Sequence, residues 1–357
     1  MITKVTLLNQ QCAITQIKMK SLLTIYLLSI ANLLFAQPDS AHFYFKKGMD
    51  EKTARRYLVS SDYLDKAIKF DPTYLDAYIE NGRVNLEMRK IDAAQGNFTK
   101  AYTLQPTNSV AIKELSSLYF NNRQFLKAIN LAQKCISCPD AERIIALSYY
   151  NLEDYGKAIS GLNKVLSKDP KDAEATYFLG KSYLELEDYK NATPQFQKAV
   201  ILDPTKSLWM YELGLIYYNK GDFQSALKYF KQAETAGYIK SNDFYENTGF
   251  SYLNTGDVEN GMKYLQTVLS RKPRDKELLT DVAYSLYKAN KWDDALVYYQ
   301  KLLELDAKDA NALYMAGMTF QKKGNKERGQ QMCDEAIKLD PSLAKNRQKK
   351  GGDNFGL

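Results

Sequence analysis

The stretch "AEATYFLGKSYLELEDYKNATPQFQKAVILDP", residues 173–204, holds a glycine, Gly180, inside its first apolar segment and two alanines, Ala192 and Ala199, in its second. Tyr183 and Phe196 stand around them, and Asp203-Pro204 closes the stretch. Glycine inside a helix costs roughly 1 kcal/mol relative to alanine. That cost is tolerable where the missing side chain lets a second helix approach closely. Proline stops the second helix, because it has no N–H to give to the helical ladder. The stretch therefore predicts two helices packed as a hairpin.

The next stretch, "SLWMYELGLIYYNKGDFQSALKYFKQAETAG" (207–237), repeats the pattern with Gly214, Tyr217, Ala226, Phe230 and Ala233. Further out, Gly82, Gly249 and Gly317 match Gly180 on first helices, and Ala94, Ala128, Ala158 and Ala295 match Ala192 on second helices. Large residues recur beside them: Tyr119, Tyr149 and Tyr252 on first helices, Phe98 on a second. Proline pairs recur at Asp71-Pro72, Gln105-Pro106, Asp169-Pro170, Lys272-Pro273 and Asp340-Pro341, with several gaps of 34 residues. Self-similarity at such a period predicts stacked helical hairpins rather than one closed core. No hairpin buries its apolar face alone, so stability is cumulative along the stack.

Both stretches resemble the tetratricopeptide repeat. The family's pattern stands in the first as Leu179-Gly180, Tyr183, Ala192, Phe196, Ala199 and Pro204, and in the second as Leu213-Gly214, Tyr217, Ala226, Phe230 and Ala233. The resemblance implies an all-α, right-handed α-solenoid of about nine stacked hairpins over residues 37–341. Its frame gives units 41–74, 75–108, 109–138, 139–172, 173–206, 207–241, 242–275, 276–309 and 310–343. Residues 342–357 then form a short basic capping helix and a flexible tail.

The ends carry other information. Lys18 and Lys20 precede the uncharged run from Ser21 to Ala36, the arrangement of a secretory signal peptide over residues 1–36. The run is short of the ~20 residues that a spanning helix needs. Met19 is an alternative start, in which case Cys12 is not part of the protein. The expected location is therefore periplasmic or secreted, in the cell envelope. Without residues 1–36, 46 basic residues face 42 acidic ones, too weak an excess to imply nucleic acid. The basic tail, with Lys345, Arg347, Lys349 and Lys350, is read as a solubilising cap.

In the resembled family, first helices line the concave, ligand-binding face. Carrying its exposed positions onto this frame gives Phe120, Tyr150, Tyr177, Leu184, Tyr211, Leu215, Tyr218, Phe250, Leu253, Tyr284, Tyr287 and Tyr314 as groove candidates. Tyrosine offers large apolar area plus a hydroxyl, which suits recognition, and the chain has 27. Aromatics at helical spacing also pack between repeats, so about half of these are expected in the core. The carboxylate clamp of some family members is not matched here: Lys113 fits, but its partners are Ser117 and Leu147.

No motif predicts catalysis. The chain lacks phosphate-cradling glycine loops and a zinc-protease helix, and His42 is its single histidine. Two S-x-x-K spacings, Ser225 to Lys228 and Ser285 to Lys288, lie inside repeat helices without the companion motifs of penicillin-recognising enzymes. Glu153-Asp154 and Glu187-Asp188 fall at turns, where solvation and helix capping account for them. The expected function is a non-catalytic scaffold without cofactor or metal, binding a protein or peptide segment. A glycan-binding assembly factor and a thiol-redox protein remain alternatives.

The redox alternative rests on "KCISCPD", 134–140. There the third unit is four residues short. Cys135 takes the place of a packing alanine, and Cys138 is expected at the N-cap of the next helix, with Pro139 at its first position. Packed free thiols, a Cys135–Cys138 disulfide, redox chemistry and a metal site all stay open at this point. The pair is read first as a tightened joint between two repeats.

Overall fold

The computed structural model describes residues 39–138 and 140–345. The expected signal segment, the alternative start at Met19, Pro139 and residues 346–357 of the tail lie outside the described residues. The chain divides into two compact units, up to Pro170 and from Lys171 onward.

Among the described residues the regular elements are helical. The first unit holds α1 (39–53), α2 (Tyr57–Phe70), α3 (Leu75–Glu87), α4 (Ile91–Leu104), α5 (Ser109–Asn121), α6 (Phe125–Ala132), α7 (Ala141–Asn151) and α8 (Tyr155–Lys168). The second holds α9 (Ala173–Glu185), α10 (Tyr189–Leu202), α11 (Ser207–Asn219), α12 (Phe223–Thr235), α13 (Asn242–Asn254), α14 (Val258–Arg271), α15 (Lys276–Lys288), α16 (Trp292–Leu305), α17 (Ala310–Lys322) and α18 (Lys326–Leu339). Consecutive odd and even helices pack as hairpins, and within each unit the hairpins stack into an all-α solenoid.

One backbone device makes every hairpin. Each link has three residues, and the middle one is left-handed: Arg55, Arg89, Arg123, Glu153, Glu187, Gly221, Gly256, Asn290 and Gly324. The next N–H bonds back five residues, as Asp188 does to the Tyr183 carbonyl at 2.9 Å and Asp222 to that of Tyr217 at 3.0 Å. This is the glycine-favoring helix stop that satisfies the last free carbonyls. Only three of these positions are glycine. At the others the side chain costs on the order of 1–2 kcal/mol in that conformation, a cost the packed hairpin must outweigh.

Acids start the helices. Asp154, Asp188, Asp222 and Asp257 accept the N–H three residues on, at 3.1–3.2 Å, at the starts of α8, α10, α12 and α14. Carboxylates there offset free N–H groups and the helix dipole. The turn acids Asp154 and Asp188 are thus caps, and Glu153 and Glu187 are the left-handed residues before them.

The small residues do permit close approach. A β-carbon built on Gly82 falls 2.5 Å from the Phe98 ring, one on Gly180 falls 2.9 Å from Phe196, and one on Gly214 falls 2.5 Å from Phe230. Phe98, Phe196 and Phe230 are fully buried, as are Ala94, Ala128, Ala158, Ala192, Ala226 and Ala295. His42 is exposed, its Nδ1 3.3 Å from the Tyr74 hydroxyl.

The third hairpin departs from the pattern. Its α6 has 8 residues where other second helices have 13 or 14, and a short 3-10 turn, Gln133–Cys135, replaces the lost length. Cys135 and Cys138 form a disulfide, with Cα atoms 5.3 Å apart. Cys138 is buried and Cys135 half-buried between two small core clusters. The expected N-cap is corrected: α7 starts at Ala141, and its cap is Asp140 in a left-handed conformation, not Cys138. Cys138 instead closes a turn, its N–H bonded to the Cys135 carbonyl at 2.9 Å, so the helix starts two residues later than a cap at Cys138 would give. Asp140 also pairs with Lys113, at 2.9 Å.

Candidate functional site

Three first helices of the second unit, α11, α13 and α15, converge on one cavity of about 280 Å³. α11 gives Tyr218. α13 gives Glu246, Asn247, Phe250 and Asn254. α15 gives Asp281, Tyr284 and Ser285. A cavity of about 440 Å³ shares Asn254, Tyr284 and Ser285 and runs to the hairpin turns, where Lys288 and Lys291 line it. The two form one groove, acidic at one end and basic at the other.

Helix periodicity explains the convergence. Asn247, Phe250 and Asn254 are spaced by three and four residues, so they share one face of α13. Asp281, Tyr284 and Lys288 repeat that spacing on α15.

Three of the groove candidates meet here: Tyr218, Phe250 and Tyr284, all half-buried. Leu215 is half-buried against the aromatic core of the second unit. Tyr150 is half-buried in the first unit, its ring 5.8 Å from that of Tyr155.

Five of the groove candidates, Tyr177, Tyr211, Leu253, Tyr287 and Tyr314, are corrected, for they are core residues. Tyr177 is 7% exposed, stacks on Trp209 at 4.5 Å and donates to the Glu212 carboxylate at 2.7 Å. Tyr211, also 7% exposed, stacks on Tyr238 at 4.5 Å and accepts from the Asn247 amide at 3.3 Å. Burial pushes its hydroxyl up to about 12. Tyr287 is 8% exposed in the cluster around Leu286 and Tyr299. Leu253 and Tyr314 are buried too. Tyr287 stands one residue before Lys288, which does line the groove.

The acids were missed by the sequence reading. Glu246 and Asp281 are half-buried, and neither has an ion-pair or hydrogen-bond partner among the described residues. Burial raises the pKa of both above the ordinary carboxylate range, and neighbouring acids add to the effect. Tyr218 is raised by burial and by the same two carboxylates. The signal that could have found them was their spacing: Glu246 lies one turn before Phe250, and Asp281 lies three residues before Tyr284.

Among the described residues, no three metal-ligating side chains come together, and no helix is long and apolar enough to cross a membrane. Ser225 is used in capping α12 through its N–H, which Asp222 accepts at 3.1 Å.

The tetratricopeptide repeat model matches overlapping windows, 145–207, 180–239, 211–276, 247–310 and 280–344, which together span more than half of the chain. The chain belongs to the tetratricopeptide repeat family. This tetratricopeptide chain is similar to the CTR9 homolog of Arabidopsis thaliana, 24% identical over 301 residues, covering 80% of this chain and 28% of that protein. It is also similar to the DnaJ protein P58IPK homolog B of Oryza sativa subsp. japonica, 28% identical over 162 residues, 41% of this chain and 34% of that one. The chain thus spans about a third or less of these relatives. Among solved structures it is similar to YrrB, described as a TPR protein with an unusual peptide-binding site: 25% identity, 53% of this chain and 97% of that one, TM-score 0.42. Tetratricopeptide arrays are protein–protein interaction scaffolds, whose stacked hairpins present an extended surface.

Proposed function

We propose that the protein is a non-catalytic scaffold of the cell envelope. It holds an extended protein segment along α11, α13 and α15 of its second unit. The observation that carries this reading is the pair of adjoining cavities built by the first helices of consecutive repeats. A groove that changes from acidic to basic along its length suits a main chain with side chains of both signs.

Replacing Tyr284 and Tyr218 together by alanine is expected to reduce capture of the partner from envelope extracts by roughly tenfold or more, since each aromatic anchor at an interface costs more than about 1 kcal/mol when truncated. Tyr150→Ala, in the first unit, leaves capture unchanged. Full capture by the double variant defeats the groove reading, and capture of purified cell-wall glycan in its place favours the glycan alternative.

Export is supported by the Lys18–Ala36 segment and by the Cys135–Cys138 disulfide, a bond that persists in oxidising compartments. N-terminal sequencing of the mature protein is expected to begin near Gln37. A product that keeps Met1 or Met19 in the soluble cytoplasmic fraction contradicts export.

A further inference from the structure

We propose that the cavity between α11, α13 and α15 is a cation pocket, which selects segments that present a lysine or arginine side chain. This rests on the groove reading above and adds the chemistry of the anchor. Rings and charges carry it together. Tyr218, Phe250 and Tyr284 come from three different helices and bring three aromatic groups to one cavity. Aromatic faces are the negative side of the ring quadrupole and attract cations, more strongly when water is excluded. Glu246 and Asp281 enter the same cavity from α13 and α15, and no basic side chain lines it.

The two carboxylates are therefore held in a half-buried cavity whose own lining has no opposite charge, Lys272 acting on Glu246 from outside it. That arrangement costs stability in the empty protein. An ammonium or guanidinium entering between the rings would supply the missing charge and make charge-assisted hydrogen bonds to both acids. The apolar stem of a lysine or arginine would lie along the rings. An acidic or neutral side chain gains nothing comparable. Bulk attraction does not produce this preference, because the chain without residues 1–36 has 46 basic residues against 42 acidic ones and repels basic peptides at long range.

The pH dependence follows. Glu246 is pushed up by burial and by Asp243, Asp275 and Asp281, and pulled down by Lys272. Asp281 is pushed up by burial, Glu277 and Asp275. Both folded-state values thus lie above those of the unfolded chain. Their ionisation disfavours the empty fold at neutral pH, and that penalty fades as pH falls through the raised values. Cation selection runs the opposite way: it is full at neutral pH and is lost as the carboxyls take up protons, earlier than ordinary surface acids.

The test is selection from a random peptide display library on the full mature chain, in parallel with a Glu246→Gln, Asp281→Asn double variant. Circular dichroism serves as the folding control. The native chain is expected to enrich peptides with a lysine or arginine at one fixed position. Affinity for a selected peptide is expected to fall about tenfold in the double variant, and similarly when its basic residue is replaced by norleucine, as befits loss of charge-assisted contacts to a desolvated cation. Enrichment without a basic residue, or basic enrichment retained by the folded double variant, overturns the cation pocket and leaves the groove standing. No enrichment at all overturns both.

Discussion

Phe230→Ala is expected to destabilise the second unit by about 3–5 kcal/mol, the range for removing a buried phenylalanine. Phe230 is fully buried on α12. Its ring lies 5.6 Å from Tyr211 and 6.0 Å from Phe244, and it fills the notch left by Gly214. Tyr211 belongs to its own hairpin and Phe244 to the next, so the cavity cannot close without moving helices of both. In a stack whose stability is nearest-neighbour, the loss should be local. Hydrogen exchange is expected to show α11, α12 and α13 losing protection first, with the first unit unchanged. A uniform loss along the chain contradicts this. The same notch makes a second-site effect predictable. Gly214→Ala clashes with the Phe230 ring in the native chain, at 2.5 Å, but finds space in the Phe230→Ala variant. A double-mutant cycle should therefore show the two changes costing less together than the sum of each alone.

Gly317→Ala is expected to lower the urea midpoint, with a loss of about 2 kcal/mol, within the overpacking range. Helix propensity alone predicts the opposite sign, a gain of nearly 1 kcal/mol. Packing wins because of what the new methyl meets. It falls 2.7 Å from the Gly329 carbonyl oxygen and 3.0 Å from the Cys333 nitrogen, both backbone atoms of α18. At Gly180 the nearest obstacles are the Phe196 ring at 2.9 Å and the Gln195 Cβ at 3.1 Å, side-chain atoms at longer range rather than backbone. Gly180→Ala is accordingly the milder change. A raised midpoint for Gly317→Ala would mean that α17 and α18 are not in backbone contact.

The fold was legible because its determinants are local and repeated. Gly180, Ala192 and Phe196 state a notch, a flat and a plug within twenty residues, and the same statement returns along the chain. The proline pairs mark helix ends: Asp71, Gln105, Asp203, Lys272 and Asp340 are the residues that cap α2, α4, α10, α14 and α18.

The site was less legible, since each residue along a helix turns the side chain by about 100°. Tyr287 is one such step from Lys288, and that step carries it from the groove into the core. A preference for aromatics also hid Glu246 and Asp281, which look like ordinary surface acids until the third helix is placed beside them. In "KCISCPD" the spacing was plain, but the path of the backbone was not. Where α7 begins depends on Asp140 adopting a left-handed turn, a conformation that its sequence neighbours do not dictate.

The nine left-handed links have an evolutionary consequence. Thirteen helical residues, a three-residue link, fourteen more helical residues and a four-residue connector make up the cassette 173–206. Since every hairpin closes with the same link, such a cassette can be duplicated or deleted whole without changing how its helices fold against each other. Array length can then drift in steps of one cassette while the rest of the surface is kept. The third hairpin is the exception: with its shortened α6 and its disulfide, it fits only the neighbour it has, and it should mark a point where recombination within such genes is not tolerated.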